Sequence, residues 1–210
     1  MLLSKLVARH SAKPTGILGR YLFGRYLDFA NRQMNTLIHD TLGYNAGSTI
    51  LEVGFGGGAL LLQIAANLQA GRIEGVEVSD EMLIRLQRRI ARHNMGSRVG
   101  LHRASVESLP FENESFDFVC SAHTIYFWPD LTGGLVEIGR VMKPGGVLVL
   151  GFSSPEALLE SGLVEHGFQA YSAEEIEQAC QSIGFSVGRI DRAPHRRSGE
   201  YLALRTIKSG

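Results

Sequence analysis

The apolar run Ile50-Leu51-Glu52-Val53 breaks into Gly54-Phe55-Gly56-Gly57-Gly58 and resumes at once as Ala59-Leu60-Leu61. Glycine tolerates positive φ and has no Cβ, so a buried strand can turn sharply here into the first turn of a helix. The same turn leaves backbone N–H groups at a helix N-terminus, where a nucleotide-like ligand can approach closely. A second short strand, Arg72-Ile73-Glu74-Gly75-Val76-Glu77-Val78, ends in an acid. A carboxylate about 20 residues beyond such glycines is placed to accept ribose hydroxyls. Leu60, Leu61, Ile64 and Leu68 recur at helical spacing after the first strand, and Met82, Leu83, Leu86 and Ile90 after the second. That alternation predicts βαβ units and a parallel sheet with right-handed crossovers.

The order continues along the chain. Asp80 and Glu81 open the second helix, and Arg85, Arg88, Arg89 and Arg92 read as its solvated face. Arg98 to Arg103 is a third strand, and Ser105 to Phe111 a loop. Phe116-Asp117-Phe118-Val119-Cys120-Ser121 is apolar enough for a central strand buried on both faces. Leu131, Leu135, Ile138 and Met142 mark a helix ended by Lys143-Pro144-Gly145-Gly146, with Val147 to Leu150 as the fifth strand. A helix through Ile176, Ala179, Cys180 and Ile183 stops at Gly184, before strands near Phe185 to Ile190 and Tyr201 to Ile207. Their short polar connection forces these last two strands to pair antiparallel. Arg192, His195, Arg196 and Arg197 read as a solvated turn between them. Residues 1–48 precede the sheet and contain a helical stretch around Tyr26 to Leu42, so the chain divides into an N-terminal arm, 1–48, and a ligand-binding domain, 49–210.

Length and charge narrow the classes. The 210 residues fit one α/β domain with helices on both faces of the sheet. Lys plus Arg equals Asp plus Glu at 21 each, which lacks the electrostatic footprint of a dedicated nucleic-acid binder. No apolar run approaches the ~20 residues of a membrane span. The two cysteines, Cys120 and Cys180, fall in an apolar strand and an amphipathic helix, as buried thiols of a cytoplasmic protein would. No metal site is expected.

Gly54-Phe55-Gly56-Gly57-Gly58-Ala59 also satisfies the dinucleotide fingerprint G-x-G-x-x-A, so the glycines alone leave the ligand open. Glu52 separates the readings, because an acid inside an apolar strand end is costly to bury without a partner. With it, the pattern E-x-G-x-G-x-G resembles motif I of the class I S-adenosylmethionine (SAM) dependent methyltransferases. Further segments share the resemblance from Thr49 to about Lys208: Leu109-Pro110-Phe111 with Ser115 to Val119, Val141-Met142-Lys143-Pro144-Gly145-Gly146, and Tyr171 to Ile176 before Gly184-Phe185. The type resembled is the small-molecule methyltransferase of ubiquinone and menaquinone biosynthesis. The resemblance implies a Rossmann-like, doubly wound sheet of seven strands in the order 3-2-1-4-5-7-6 with strand 7 antiparallel.

In such a sheet the ligand lies beyond the carboxyl ends of the strands, at the switch point between strands 1 and 4. The resemblance then implies that Glu52 organises the loop around the cofactor's amino acid end, with Gly54, Gly56 and Gly58 under its methionine and ribose portions. Glu77 would hold the ribose. Val78 and Met82 would pack on adenine or, alternatively, pack the second helix on the sheet. Ser105 and Val106 would border the adenine edge, Ser105 standing where the family often has Asp. Ala122 replaces a common Asn, which moves cofactor contact to backbone or to Ser121. His123 would act as a general base or hydrogen-bond the acceptor or loop. Tyr126, Phe127 and Trp128 would wall an acceptor pocket or join the core. Tyr21, Tyr26, Met34 and Asn35 are acceptor-side candidates from the arm, or cover for the sheet edge.

The activity implied is methyl transfer from SAM to an O, N, S or C nucleophile of a small molecule by direct displacement, leaving S-adenosylhomocysteine (SAH). No N/D-P-P-Y-like tetrad marks a nucleic-acid acceptor, and two separated cysteines cannot supply the thiol set of a metalloid methyltransferase. The rival from another class is a non-catalytic SAM- or SAH-binding regulator or partner subunit, motivated by Ser105 and Ala122. An NAD-linked oxidoreductase is disfavoured by Glu52 and the terminal hairpin.

Overall fold

A computed structural model describes residues 31–195 and 199–210. After helix α1 (Arg32–Leu42) the chain alternates through β1 (Thr49–Val53), α2 (Ala59–Asn67), β2 (Arg72–Glu77), α3 (Asp80–Arg92), β3 (Val99–Arg103) and β4 (Phe116–Ala122). It continues with α4 (Leu131–Val141), β5 (Met142–Ser153), α5 (Pro155–Ser161), α6 (Ala173–Ser182), β6 (Phe185–Pro194) and β7 (Glu200–Lys208). The strands form one seven-stranded sheet in the order β3-β2-β1-β4-β5-β7-β6. Only β7 runs antiparallel to its neighbours β5 and β6, so the expected topology is the observed one.

Side chains of a strand alternate between faces, and here they feed two cores. Leu51, Val119, Leu148, Leu150, Leu202 and Leu204 meet α4, α5 and α6 on one face, through Leu135, Leu158 and Ile176. Ile50, Cys120, Val149 and Ala203 meet α1, α2 and α3 on the other, through Ile38, Ile64 and Leu86. Both faces are closed, as a parallel sheet requires. Helix α1 lies directly on β5, since a Cβ at Gly151 would stand 2.4 Å from Ile38 Cδ1 and 2.6 Å from Met34 Sδ. Helix α6 opens with a capping box in which the Ser172 hydroxyl and the Glu175 carboxylate each accept the other's backbone N–H.

Two boundaries differ from the sequence reading. Strand β5 begins at Met142, paired with Phe116, and so includes the Lys143-Pro144-Gly145-Gly146 segment read as a helix stop. The register shifts between Phe116 and Phe118, and Gly145 takes φ 75° there. Such an irregularity accommodates a proline that cannot donate to the ladder. The terminal hairpin is also longer than expected, because an edge strand can leave polar residues in solvent without ending. Arg192 therefore lies within β6 rather than in a turn, and its guanidinium pairs with Glu200 at 2.5 Å. Arg196 and Arg197 lie outside the described residues, as do Tyr21 and Tyr26. Among the described residues no helix is long and apolar enough to cross a membrane.

Candidate functional site

The loop between β1 and α2 is built on three glycines of positive φ, Gly54 at 73°, Gly56 at 49° and Gly58 at 76°. They are glycine for different reasons. A Cβ on Gly54 would meet Thr124 Cγ2 at 2.5 Å, and one on Gly58 would meet Leu86 Cδ1 at 2.4 Å. Both positions are closed by the protein's own packing. Among the described residues a Cβ on Gly56 would meet no heavy atom within 4 Å, so the middle of the loop faces space that none of them fills. Arg89 reaches back from α3 and donates to the Gly57 carbonyl. The arginine row is thus not uniformly a solvated face: Arg88 and Arg92 are exposed, while Arg89 ties the third helix to the loop.

The end of β2 closes this space. Glu77 Oε2 accepts the Gly56 N–H at 3.0 Å, and Oε1 accepts those of Val78 at 2.8 Å and Ser79 at 3.0 Å. A carboxylate has about four acceptor sites, so three amides leave one for a ligand hydroxyl. Burial raises the Glu77 pKa, opposed by the three N–H donors. The two residues after this acid part company: Val78 is 53% exposed and carries no core, whereas Met82 is 3% exposed and packs α3 on the sheet. The packing alternative therefore fits Met82 and fails for Val78.

Ser105 and Val106 open the loop after β3. The Ser105 hydroxyl donates to Glu107 Oε2 at 3.2 Å, and Val106 is buried beside Leu135 and Trp128. The loop is anchored from α4. Arg140 donates to the carbonyls of Leu109 at 3.0 Å and Phe111 at 2.8 Å, and Glu137 accepts the Leu109 N–H at 2.7 Å. Glu137 and Arg140 also pair with each other at 2.8 Å, which holds the Glu137 carboxyl below its ordinary range. The sequence reading missed this pair, although its i, i+3 spacing on a helix was a visible signal.

The third wall follows β4. Glu52, 2% exposed, lies opposite Cys120 in the β1–β4 ladder, and burial, with Glu52 second, pushes the Cys120 thiol well up. Ser121 donates to the Val53 carbonyl at 2.9 Å and bonds the Thr124 hydroxyl, which in turn accepts the Trp128 indole N–H at 3.2 Å. These groups stitch β4 to β1 across the switch point. Tyr126 and Trp128, 3% and 4% exposed, are core residues, so the aromatic surface left on this wall is Phe127 against Phe168 at 4.5 Å. Met34 and Asn35 are buried on α1. His123 takes φ 57°, unusual for a non-glycine residue, and its N–H donates to the Gly151 carbonyl at 2.8 Å.

Burial, helped by nearby His195, lowers the His123 pKa from 6.5 to about 4. Between those values the unfolded chain binds a proton that the native ring refuses, so stability falls as pH drops through this window and is fully present above it. The half-buried ring retains some solvent screening, which puts the effect at roughly 1–3 kcal/mol. Melting temperatures of wild type and His123→Gln, followed from pH about 7 to about 5, should therefore diverge, with wild type losing more on acidification. Parallel curves would show that the ring titrates normally.

Residues 51–150 match the family described as methyltransferase domain. The ubiquinone/menaquinone biosynthesis C-methyltransferase UbiE of Geotalea daltonii is 34% identical over 147 residues, 68% of this chain and 63% of that protein. The uncharacterized methyltransferase YdaC of Bacillus subtilis is 32% identical over 127 residues, 60% of this chain and 68% of that protein. A SAM-dependent methyltransferase structure from Aquifex aeolicus superposes with a TM-score of 0.74 at 21% identity, covering 88% of this chain and 96% of that one. The alternative of a non-catalytic binder gains no support from these matches.

Proposed function

Because the chain belongs to the class I SAM-dependent methyltransferases, with SAM as its methyl donor, we propose that it methylates a small-molecule acceptor by direct displacement. The observation that carries this reading is the open space at Gly56, bounded by a carboxylate with one acceptor site to spare. A cradle that a Cβ would fill without touching protein fits a ligand lying on the backbone. When bound, SAM supplies a methyl group on a sulfonium that leaves as a neutral thioether.

The chain's own residues do the positioning. Glu77 fixes the glycine loop through the Gly56 N–H and offers its remaining lone pair to a ribose hydroxyl. Val78 presents an apolar face to adenine, and Gly54 and Gly58 set the turn. Glu52 is assigned to the amino acid end of the cofactor, with the loop at Ser105 and Val106 at the adenine edge. Ser121 acts indirectly, since its hydroxyl is engaged with Val53 and Thr124. His123 and Phe127, at the end of β4, form the acceptor side. Alignment of nucleophile and methyl is the main contribution, because fixing two reactants can supply on the order of 7–11 kcal/mol of a barrier.

The test is SAH release from labelled SAM in the presence of phenols, quinols, amines, thiols and carbon acids. Quinone precursors lead the panel because the Geotalea relative is named for carbon methylation in that biosynthesis. Turnover with at least one class is expected. Binding of SAM without transfer to any class would favour the non-catalytic reading.

A further inference from the structure

His123 does not stand alone. Its Nδ1 lies 3.1 Å from the Tyr126 hydroxyl, the two rings stack at 6.0 Å between centroids, and the edge of Tyr201 packs on it at 5.7 Å. The Tyr126 oxygen in turn accepts the Ser153 backbone N–H at 2.5 Å. A phenol has one proton to give. With the Ser153 N–H donating into its oxygen, the phenol can aim that proton at His123 Nδ1, which is bare in that arrangement. In a neutral imidazole the remaining hydrogen sits on Nε2. Among the described residues Nε2 has no hydrogen-bond partner. Among the described residues the other titratable groups facing this ring are Tyr201 and His195.

We propose that Tyr126 is a positioning residue that holds His123 in its Nε2–H tautomer, so that His123 offers the methyl acceptor a hydrogen-bond donor rather than a proton acceptor. This rests on the reading of the β4 end as the acceptor wall. The acceptor class that such a donor recognises presents an oxygen lone pair beside the ring, as an enolate, phenolate or carbonyl does, and an ammonium group has none to offer. Three features make the arrangement durable. The β5–β7 ladder fixes Ser153 opposite Tyr201, two residues beyond the point where β5 pairs with the end of β4 at Ala122 and Gly151. The His123 N–H is tied to Gly151. Burial of Tyr126 also raises its pKa, so the phenol keeps its proton throughout the physiological range. The left-handed backbone at His123 is a further sign that the ring is held where an unconstrained chain would not leave it.

The experiment is multiple-bond proton–nitrogen NMR on protein labelled with nitrogen-15 histidine, saturated with SAH at neutral pH, with His123→Gln used to identify the His123 signals. The expected result is a bare-nitrogen shift for Nδ1 and a protonated shift for Nε2. Tyr126→Phe should move the Nδ1 signal further toward the free, unbonded range while SAH affinity stays within about twofold. A protonated Nδ1 with bare Nε2, or two averaged signals in wild type, would overturn the proposal. So would a Nδ1 shift unmoved by Tyr126→Phe, which would leave Tyr126 purely structural. The methyltransferase reading fails on a separate result, absence of SAM turnover, and the wild-type tautomer can be read whatever that outcome is.

Discussion

Gly56→Val is expected to weaken SAH binding a thousandfold or more, ~4 kcal/mol, while leaving the helical circular dichroism spectrum intact. Among the described residues no other atom lies within 4 Å of a Cβ built at this position, so the new side chain meets none of their core and fills the space assigned to the cofactor. The fold bears the backbone strain alone, because φ 49° costs a β-branched residue about 1–2 kcal/mol. The contrast with Gly58 is instructive. There a Cβ would overlap Leu86, so the corresponding change should unfold α3 from the sheet before ligand binding is in question. Calorimetric titration with SAH, run beside the spectrum, separates the two cases. Affinity within tenfold of wild type in Gly56→Val would show that the open space is not the ligand's.

Glu77→Ala is expected to lower SAH affinity at least a hundredfold and to lower the melting temperature of the ligand-free protein as well. The sequence alone suggests the ribose contact, worth on the order of 1–3 kcal/mol. The geometry adds a second effect, since Gly56, Val78 and Ser79 all lose their acceptor and the glycine loop loses its tie to β2. Glu77→Gln should fall between, because its amide group must face at least one of those N–H donors. Acidification gives the same information in wild type. Glu77 has a raised pKa, so it gains its proton above the ordinary carboxylate value of 4.5 and SAH affinity should fall as pH drops through that raised value. The sign for stability is the reverse: the native state takes this proton more readily than the unfolded chain, so the Glu77 charge costs stability at neutral pH and acidification relieves the cost. A drop in melting temperature with unchanged affinity would make Glu77 purely structural.

The sheet was legible because its signals are local. Glycines at a strand end, apolar periodicity in α2 and α3, and a short terminal connection determine strand direction and crossover without tertiary information. The turn at the glycines and the place of Glu77 at the end of β2 were legible for the same reason. What sequence could not resolve is which side of a residue faces the crevice. Val78 and Met82 are four apart and both apolar, yet one is exposed beyond a strand end and the other is buried. Tyr126, Phe127 and Trp128 are consecutive, and a single 3-10 turn at Ile125–Phe127 leaves only Phe127 outward. Long-range ties were also hidden. Arg89 to Gly57 and Arg140 to Leu109 join elements about thirty residues apart, and their basic side chains look like any solvated helix face until the helices are docked. The Ser153–Tyr126–His123 chain needs β4 and β5 paired in register before it exists.

The most direct measurement is calorimetric titration of the wild-type protein with SAM, SAH and NAD, combined with melting curves at saturating ligand. If Glu77, Val78 and the glycine loop hold an adenosyl amino acid, as proposed, the protein should bind SAM and SAH. Each should raise the melting temperature, as any ligand selective for the native state does. NAD should leave both heat and melting unchanged. Stabilisation by NAD with no response to either adenosyl ligand would contradict the account.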